Sequence, residues 1–303
     1  MLFSGTVAHA ETRAACILNF LRNGQDTYFA EDALTAEQIH YRVYGRGKPD
    51  TIVLVHGLGG DLSTWDEIAP ELANRFQVIV YDQRGHGLTP ERGHNFSSTM
   101  LAHDLKTLLD SLGVGKVHLL GHSMGGRTVM KFAALFGEQT RSVIVEDMHF
   151  IGRTKALADP SLFSRELATL VDVDFPDVET AIRTAEERLG PLSVEDLDRY
   201  GLRRLASGRF AFLRVNPSVP HYSAQGLQED LTQSLVSARA PVLLLAADPG
   251  SGAVLFGKGL DHALANRPDA EVVIFEGTGH GIHGERPEGF LSAVTGFLRK
   301  VGP

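Results

Sequence analysis

Six short runs of apolar, largely β-branched residues punctuate the chain, at 51–55, 77–81, 116–120, 142–145, 241–247 and 271–275. A run that is apolar throughout must be covered on both faces, and a parallel sheet wrapped by helices on each side provides that cover. Helical spacing at 63–73, 97–112, 127–136, 257–266 and 287–300 supplies the covers, in alternation with the strands. An alternating stretch at 39–44 adds a half-buried strand ahead of them. With 303 residues, 43% hydrophobic and 22% charged, the chain is long enough to bury such a core. Functional groups of such sheets collect at the carboxyl ends of the strands. His56, Asp82, Ser123 and Asp147 each stand at or just past such an end.

The alternation breaks between 151 and 240. The β-branched runs vanish, prolines appear at 160, 176, 191, 217 and 220, and helical patterns are expected at 161–170, 177–189, 193–206 and 226–238. The expected organisation is an N-terminal extension at 1–36, an α/β core at 37–150 and 241–303, and a helical cap at 151–240. Residues 11–24 read as a short helix within the extension. Ala8-His9-Ala10 has the small-x-small form of a signal-peptide cleavage site, but too little apolar sequence precedes it. Two expectations follow: a cytoplasmic protein, or an exported one in which this is the end of a truncated signal.

Several function classes fall away on composition. Net charge is −8 and the 29 Lys and Arg residues are dispersed, so nucleic acid is not an expected partner. No apolar run is long enough to span a bilayer. The single cysteine, Cys16, allows no intrachain disulfide, and the 13 histidines show no ligand spacing beside carboxylates, so no metal or cofactor is expected.

The most informative stretch follows the run at 116–120. There Gly121-His122-Ser123-Met124-Gly125 leads straight into a helical pattern. Strand, tight turn and helix with a serine at the apex is the G-x-S-x-G elbow, which presents a hydroxyl as a nucleophile. The flanking glycines suit a turn in which a Cβ would collide with the neighbouring backbone. A serine hydroxyl needs a base that titrates near neutrality, and that base needs a carboxylate to fix its tautomer.

Taken together, four segments resemble the α/β-hydrolase superfamily: His56-Gly57-Leu58-Gly59-Gly60, Asp82-Gln83-Arg84-Gly85-His86-Gly87, Gly121 to Gly126, and Gly279-His280. The resemblance runs in order from about 39 to 300, nearly the whole chain. It implies an α/β-hydrolase fold with a mostly parallel sheet, Ser123 as nucleophile and His280 as base. It also implies an oxyanion hole from the backbone N–H groups of Leu58 and Met124. His283 is the neighbouring competitor, read as an ordinary loop histidine. The Asp82 turn is structural in this family, and Ser123 at the elbow excludes the epoxide hydrolases and dehalogenases that need aspartate there.

The acid is where the chain departs from the common family pattern. Members usually place an aspartate a few residues past the strand that is here 241–247. At that place this chain has Pro249-Gly250-Ser251-Gly252. Asp248 comes early, 32 residues before His280. A minority of members, such as zearalenone lactonase-like hydrolases and some haloalkane dehalogenases, take the acid from the strand after the elbow helix. Here that residue is Asp147, 24 residues beyond Ser123. Asp147 is the expected acid, Asp248 the alternative, and Glu146 is expected to point away from Asp147 if the strand continues through both.

The function these features imply is a serine hydrolase acting on a small, largely apolar carboxylic ester or lactone, as monomer or homodimer. Trp65 and Phe150 are candidates for substrate contact, with packing in a core as the plainer reading of each. Two alternatives stand beside it. One is a hydrolase of C–C or amide bonds with the same triad. The other is a hydrolase-like receptor that binds a small ligand and turns over poorly.

Overall fold

The computed structural model describes residues 32–90, 95–152, 174–192, 202–204, 208–212 and 225–302. Residues 1–31 lie outside this set, and with them the expected N-terminal helix and the small-x-small motif.

Ten strands are present among the described residues: β1 Asp32–Leu34, β2 His40–Tyr44, β3 Thr51–Val55, β4 Gln77–Tyr81, β5 Val117–His122, β6 Thr140–Glu146, β7 Leu202–Arg204, β8 Phe210–Phe212, β9 Val242–Ala247 and β10 Glu271–Phe275. Eight of them form one sheet in the order β1-β2-β4-β3-β5-β6-β9-β10. β2 runs antiparallel to β4, and every pairing from β4 through to β10 is parallel. The helices are α1 Ala69–Leu72, α2 Ser98–Ser111, α3 Met124–Leu135, α4 Val178–Leu189, α5 Thr232–Ser237, α6 Gly257–Asn266, α7 Ile282–Glu285 and α8 Pro287–Val301. All six expected apolar runs are strands.

Burial follows the pattern from which the strands were read. Every residue of β3 and β9 is buried, whereas β10 at the sheet edge is mostly half-exposed. α3 follows the elbow directly and buries one face against β5 and β6, with Val129, Met130 and Phe132 at no exposure. Each such side chain contributes about 1.5–3 kcal/mol of apolar burial.

Register aligns the carboxyl ends of the central strands. Val55 pairs with Gly121, His122 with Glu146 and Glu146 with Leu245. The residues just beyond those ends, His56, Ser123 and Asp147, therefore lie in a row across one edge of the sheet.

The chain divides into two compact units, one of residues 33–158 and 218–303, the other of 1–32 and 159–217. Within the second unit, α4 starts at Asp177, whose carboxylate accepts a hydrogen bond from the Thr180 amide at 2.7 Å, and stops at Gly190 with φ +81°. The expectation of an all-helical insertion needs correction. Leu202–Arg204, inside the helix expected at 193–206, is a strand paired antiparallel with Phe210–Phe212. Phe175 bridges to Phe210 and packs edge-on to Phe212, an aromatic cross-strand arrangement that favours a hairpin. The helix expected at 161–170 lies outside the described residues.

Candidate active site

Ser123 is the residue between β5 and α3, and its backbone is strained, with φ +50° and ψ −112°. A non-glycine residue in such a region costs on the order of 1–3 kcal/mol, which the surroundings must hold in place. Two close approaches hold it. A Cβ on Gly121 would lie 2.3 Å from the Gly125 backbone, and one on Gly125 would lie 2.1 Å from the Val55 carbonyl oxygen. The Ser123 amide also donates to the Glu146 carbonyl at 2.9 Å. Both glycines are thus obligatory, and the serine is fixed at the strand end.

The loop after β3 lies against this turn. A Cβ on Gly57 would meet His122 Nδ1 at 2.6 Å and Ser123 Cβ at 3.4 Å. Two neutral imidazoles shape the loop. His56 donates from Nδ1 to the Gly57 carbonyl at 2.7 Å, and its Nε2 accepts from the Gln83 amide at 3.0 Å. His86 Nε2 accepts from the Gly59 amide at 3.3 Å, and burial pushes its pKa down to about 3. Asp82 takes amide hydrogen bonds from Leu62 and Leu88 and one from His40 Nδ1, so the turn after β4 is structural as expected. Leu58 and Met124, the expected oxyanion donors, come together with Phe96, Leu101 and Leu227 in a small apolar cluster. Met124 opens α3, where the helix dipole favours negative charge.

His280 follows β10, and its Nδ1 lies 2.7 Å from Asp147 Oδ2. Asp147 is fully buried and adopts φ +42°, just past the end of β6. Its carboxylate sits in a cradle of amides. Leu255 donates to Oδ1 at 2.9 Å, Ala247 to Oδ1 at 3.3 Å and Val254 to Oδ2 at 2.7 Å. Burial alone would raise its pKa, but the His280 hydrogen bond and the Leu255 and Val254 amides outweigh it, so the pKa lies below the ordinary value. An ionised carboxylate can only accept, so Nδ1 carries the proton and Nε2 is the ring nitrogen left with a lone pair.

Asp248 is elsewhere engaged. Its carboxylate accepts from the Gly250 and Gly277 amides at 2.7 Å each, and these bonds lower its pKa. The segment after β9 supplies no carboxylate to His280. It supplies instead the amides that hold Asp147.

Two readings left open by the sequence are decided in this region. Trp65 and Phe150, candidates for substrate contact, are both fully buried. Trp65 stacks 4.7 Å from the His283 ring and 6.4 Å from Phe290, and Phe150 belongs to the main core. Their bulk fills the interior instead of presenting a surface. Glu146, expected to point away if the strand continued, reaches the same segment as Asp147: its Oε1 accepts from the His283 amide at 2.9 Å, and both oxygens lie 2.9 Å from His283 Nδ1. The alternation of a strand no longer applies, because β6 ends at Glu146 and Asp147 turns the chain with a positive φ. The signal for this second pair was present in the sequence as two adjacent carboxylates and two histidines three residues apart.

Comparison with known proteins agrees with this architecture. The family described as alpha/beta hydrolase fold matches residues 50–287. The chain is 27% identical over 283 residues to 2-(acetamidomethylene)succinate hydrolase of Mesorhizobium japonicum, covering 89% of this chain and 96% of the relative. It is 28% identical over 247 residues to esterase YbfF of Escherichia coli, covering 82% and 92%. N-formylmaleamate deformylase of Pseudomonas putida is 26% identical over 279 residues, covering 90% and 97%. Among solved structures, the enol-lactonase from Burkholderia xenovorans superposes with a TM-score of 0.65 at 19% identity, covering 88% of this chain and 99% of that one. With the sheet order, the strained elbow and the matched span in agreement, the chain belongs to the alpha/beta hydrolase fold family.

Proposed function

We propose that this protein hydrolyses a small, largely apolar carboxylic ester or lactone through an acyl-enzyme on Ser123. His280 takes the Ser123 proton at Nε2 as the hydroxyl attacks the carbonyl carbon. Asp147 keeps that imidazole in the Nδ1-protonated tautomer and stabilises the imidazolium. The Leu58 and Met124 amides receive the oxyanion, and His280 returns its proton to the leaving alkoxide. Water, deprotonated by the same imidazole, then releases the acid and restores Ser123. The insertion at 151–240 is read as the cap of this enzyme.

The observation that carries the reading is the amide-cradled Asp147 against His280 Nδ1 at 2.7 Å, in a chain whose elbow serine is strained at φ +50°. The apolar partners of Leu58 and Met124 favour an uncharged acyl group: Phe96, Leu101 and Leu227 place no charge beside the expected oxyanion. Hydrolysis of an amide-like bond by the same residues is the second reading, supported by the similarity to the deformylase.

The test is turnover of p-nitrophenyl acetate and butyrate beside an N-formyl amide. Ester turnover lost in Ser123→Ala, by about 10⁶-fold in kcat, supports the esterase. Preference for the amide supports the second reading. A single slow labelling of the serine with no turnover of either would point to a ligand-binding receptor.

A further inference from the structure

Beside the His280–Asp147 pair lies another carboxylate–histidine pair. Glu146 precedes Asp147, and His283 follows His280 by three residues on α7. Glu146 is fully buried and receives both the amide and the ring Nδ1 of His283. The His283 ring is clamped between Trp65 at 4.7 Å and Phe290 at 6.0 Å. His122 joins the two pairs, with its ring 5.2 Å from His283 and 4.6 Å from His280. Its Nε2 donates to the His280 carbonyl at 2.9 Å. At the other end of the same residue, the Glu146 carbonyl accepts the Ser123 amide at 2.9 Å.

An ion pair this deeply buried is a weak source of stability, because desolvation cancels much of its attraction. What it supplies is a fixed distance. Glu146 holds the Ser123 amide with its backbone and the His280 segment with its side chain. We infer that Glu146 and His283 are a positioning pair that locks the His280 segment against the Ser123 elbow, with His122 as the wedge between them. This rests on the reading of Ser123 and His280 as nucleophile and base.

Charge state agrees with the geometry. Burial would lower the His283 pKa, but the Glu146 carboxylate, helped by Glu67, raises it above the ordinary value. Burial would raise Glu146, but His283 and His122 bring it below its ordinary value. His122 itself is pushed down to about 3 by burial and stays neutral, with its one ring proton at Nε2 donated to the His280 carbonyl.

The experiment compares His283→Phe and His283→Asn with the wild type. Phenylalanine keeps the packing against Trp65 and Phe290 and deletes the ring donor, whereas the asparagine amide restores a donor near the Nδ1 position. With p-nitrophenyl butyrate, His283→Phe is expected to lose about tenfold to a hundredfold in kcat with KM held within about threefold, because misplacement of the base acts on the chemical step. His283→Asn is expected to recover kcat to within about threefold of the wild type. In proton NMR the wild type should show low-field imidazole N–H signals from His280 and His283, beside the one from His40 on Asp82. Asp147→Asn shifts the first and Glu146→Gln the second, and His283→Phe broadens the one belonging to His280. A His283→Phe enzyme with undiminished kcat and an unchanged His280 signal overturns the positioning role, as does a kcat loss that His283→Asn fails to recover. If Ser123→Ala still turns over, the nucleophile reading has failed, and the His280 signal in His283→Phe still decides whether the pair positions that ring.

Discussion

Asp147 and Asp248 follow neighbouring parallel strands, and both have carboxylates held by backbone amides. Both have lowered pKa values, Asp248 through the Gly277 and Gly250 amides, and Asp147 through His280, Leu255 and Val254 against the opposing effect of burial. A lowered pKa therefore does not by itself mark an acid that works on a histidine. The difference lies in what surrounds the oxygens. Asp248 is partly exposed and spends both oxygens tying its own turn to the loop after β10. Asp147 is buried, receives amides from a segment about a hundred residues away in sequence, and still offers Oδ2 to His280. Geometry and burial separate a carboxylate that closes its own turn from one that reaches a histidine.

That contrast can be broken most directly by Asp147→Asn, which should cost about 10³–10⁴ in kcat on a p-nitrophenyl ester, because the amide would favour the wrong imidazole tautomer. Weakening the cradle comes next. Val254→Pro removes the amide that donates to Asp147 Oδ2 and should lower kcat about tenfold, the order of effect of one lost hydrogen bond to a charged group. Asp248→Asn keeps an acceptor for the Gly250 amide and should change kcat by less than about threefold, with a Tm loss of a few degrees at most. If Asp248→Asn were the more damaging of the two Asp→Asn replacements, the assignment of the acid would be reversed.

The smallest expected effect is on pH stability. His86, His118 and His122 have pKa values lowered to about 3, about 4 and about 3, each chiefly by burial. Unfolded, each would take a proton near its ordinary value of 6.5, so their contribution is full above that pH and is lost as pH falls toward their folded values. His283, raised in the fold, has the opposite sign: its contribution is present below the ordinary value and is lost as pH rises through the raised one. Thermal melts between about pH 7 and about pH 5 should show Tm falling on acidification, and His118→Gln should shrink that fall by about 1–3 °C.

The fold was largely legible because its strands advertise themselves. β3 and β9 are buried along their whole length, and their composition says so without any knowledge of neighbours. The elbow was legible for a related reason: Gly121 and Gly125 mark close backbone approaches that a short sequence window records. The region at 151–240 was less legible. The helical spacing at 193–206 is a local pattern, and the pairing of Leu202–Arg204 with Phe210–Phe212 overrides it. Trp65 could be read as pocket lining or as core, since a single aromatic near a loop carries no information about the partner it packs on.

What the sequence by itself determined is the alternating sheet, its switch from strand to helix at Ser123, and the identity of His280 as the histidine after the last strand. These are properties of residues close together in the chain, where periodicity and glycine geometry act. What only the tertiary structure decided is which carboxylate meets that histidine, and that His283 and Glu146 form a second pair beside it. Asp147 and His280 are 133 residues apart, and Glu146 and His283 are 137 apart. Contacts of that kind depend on the parallel register that sets β6 between β5 and β9. They depend as well on amides of Val254 and Leu255, whose backbone donors no side-chain pattern in the sequence could reveal.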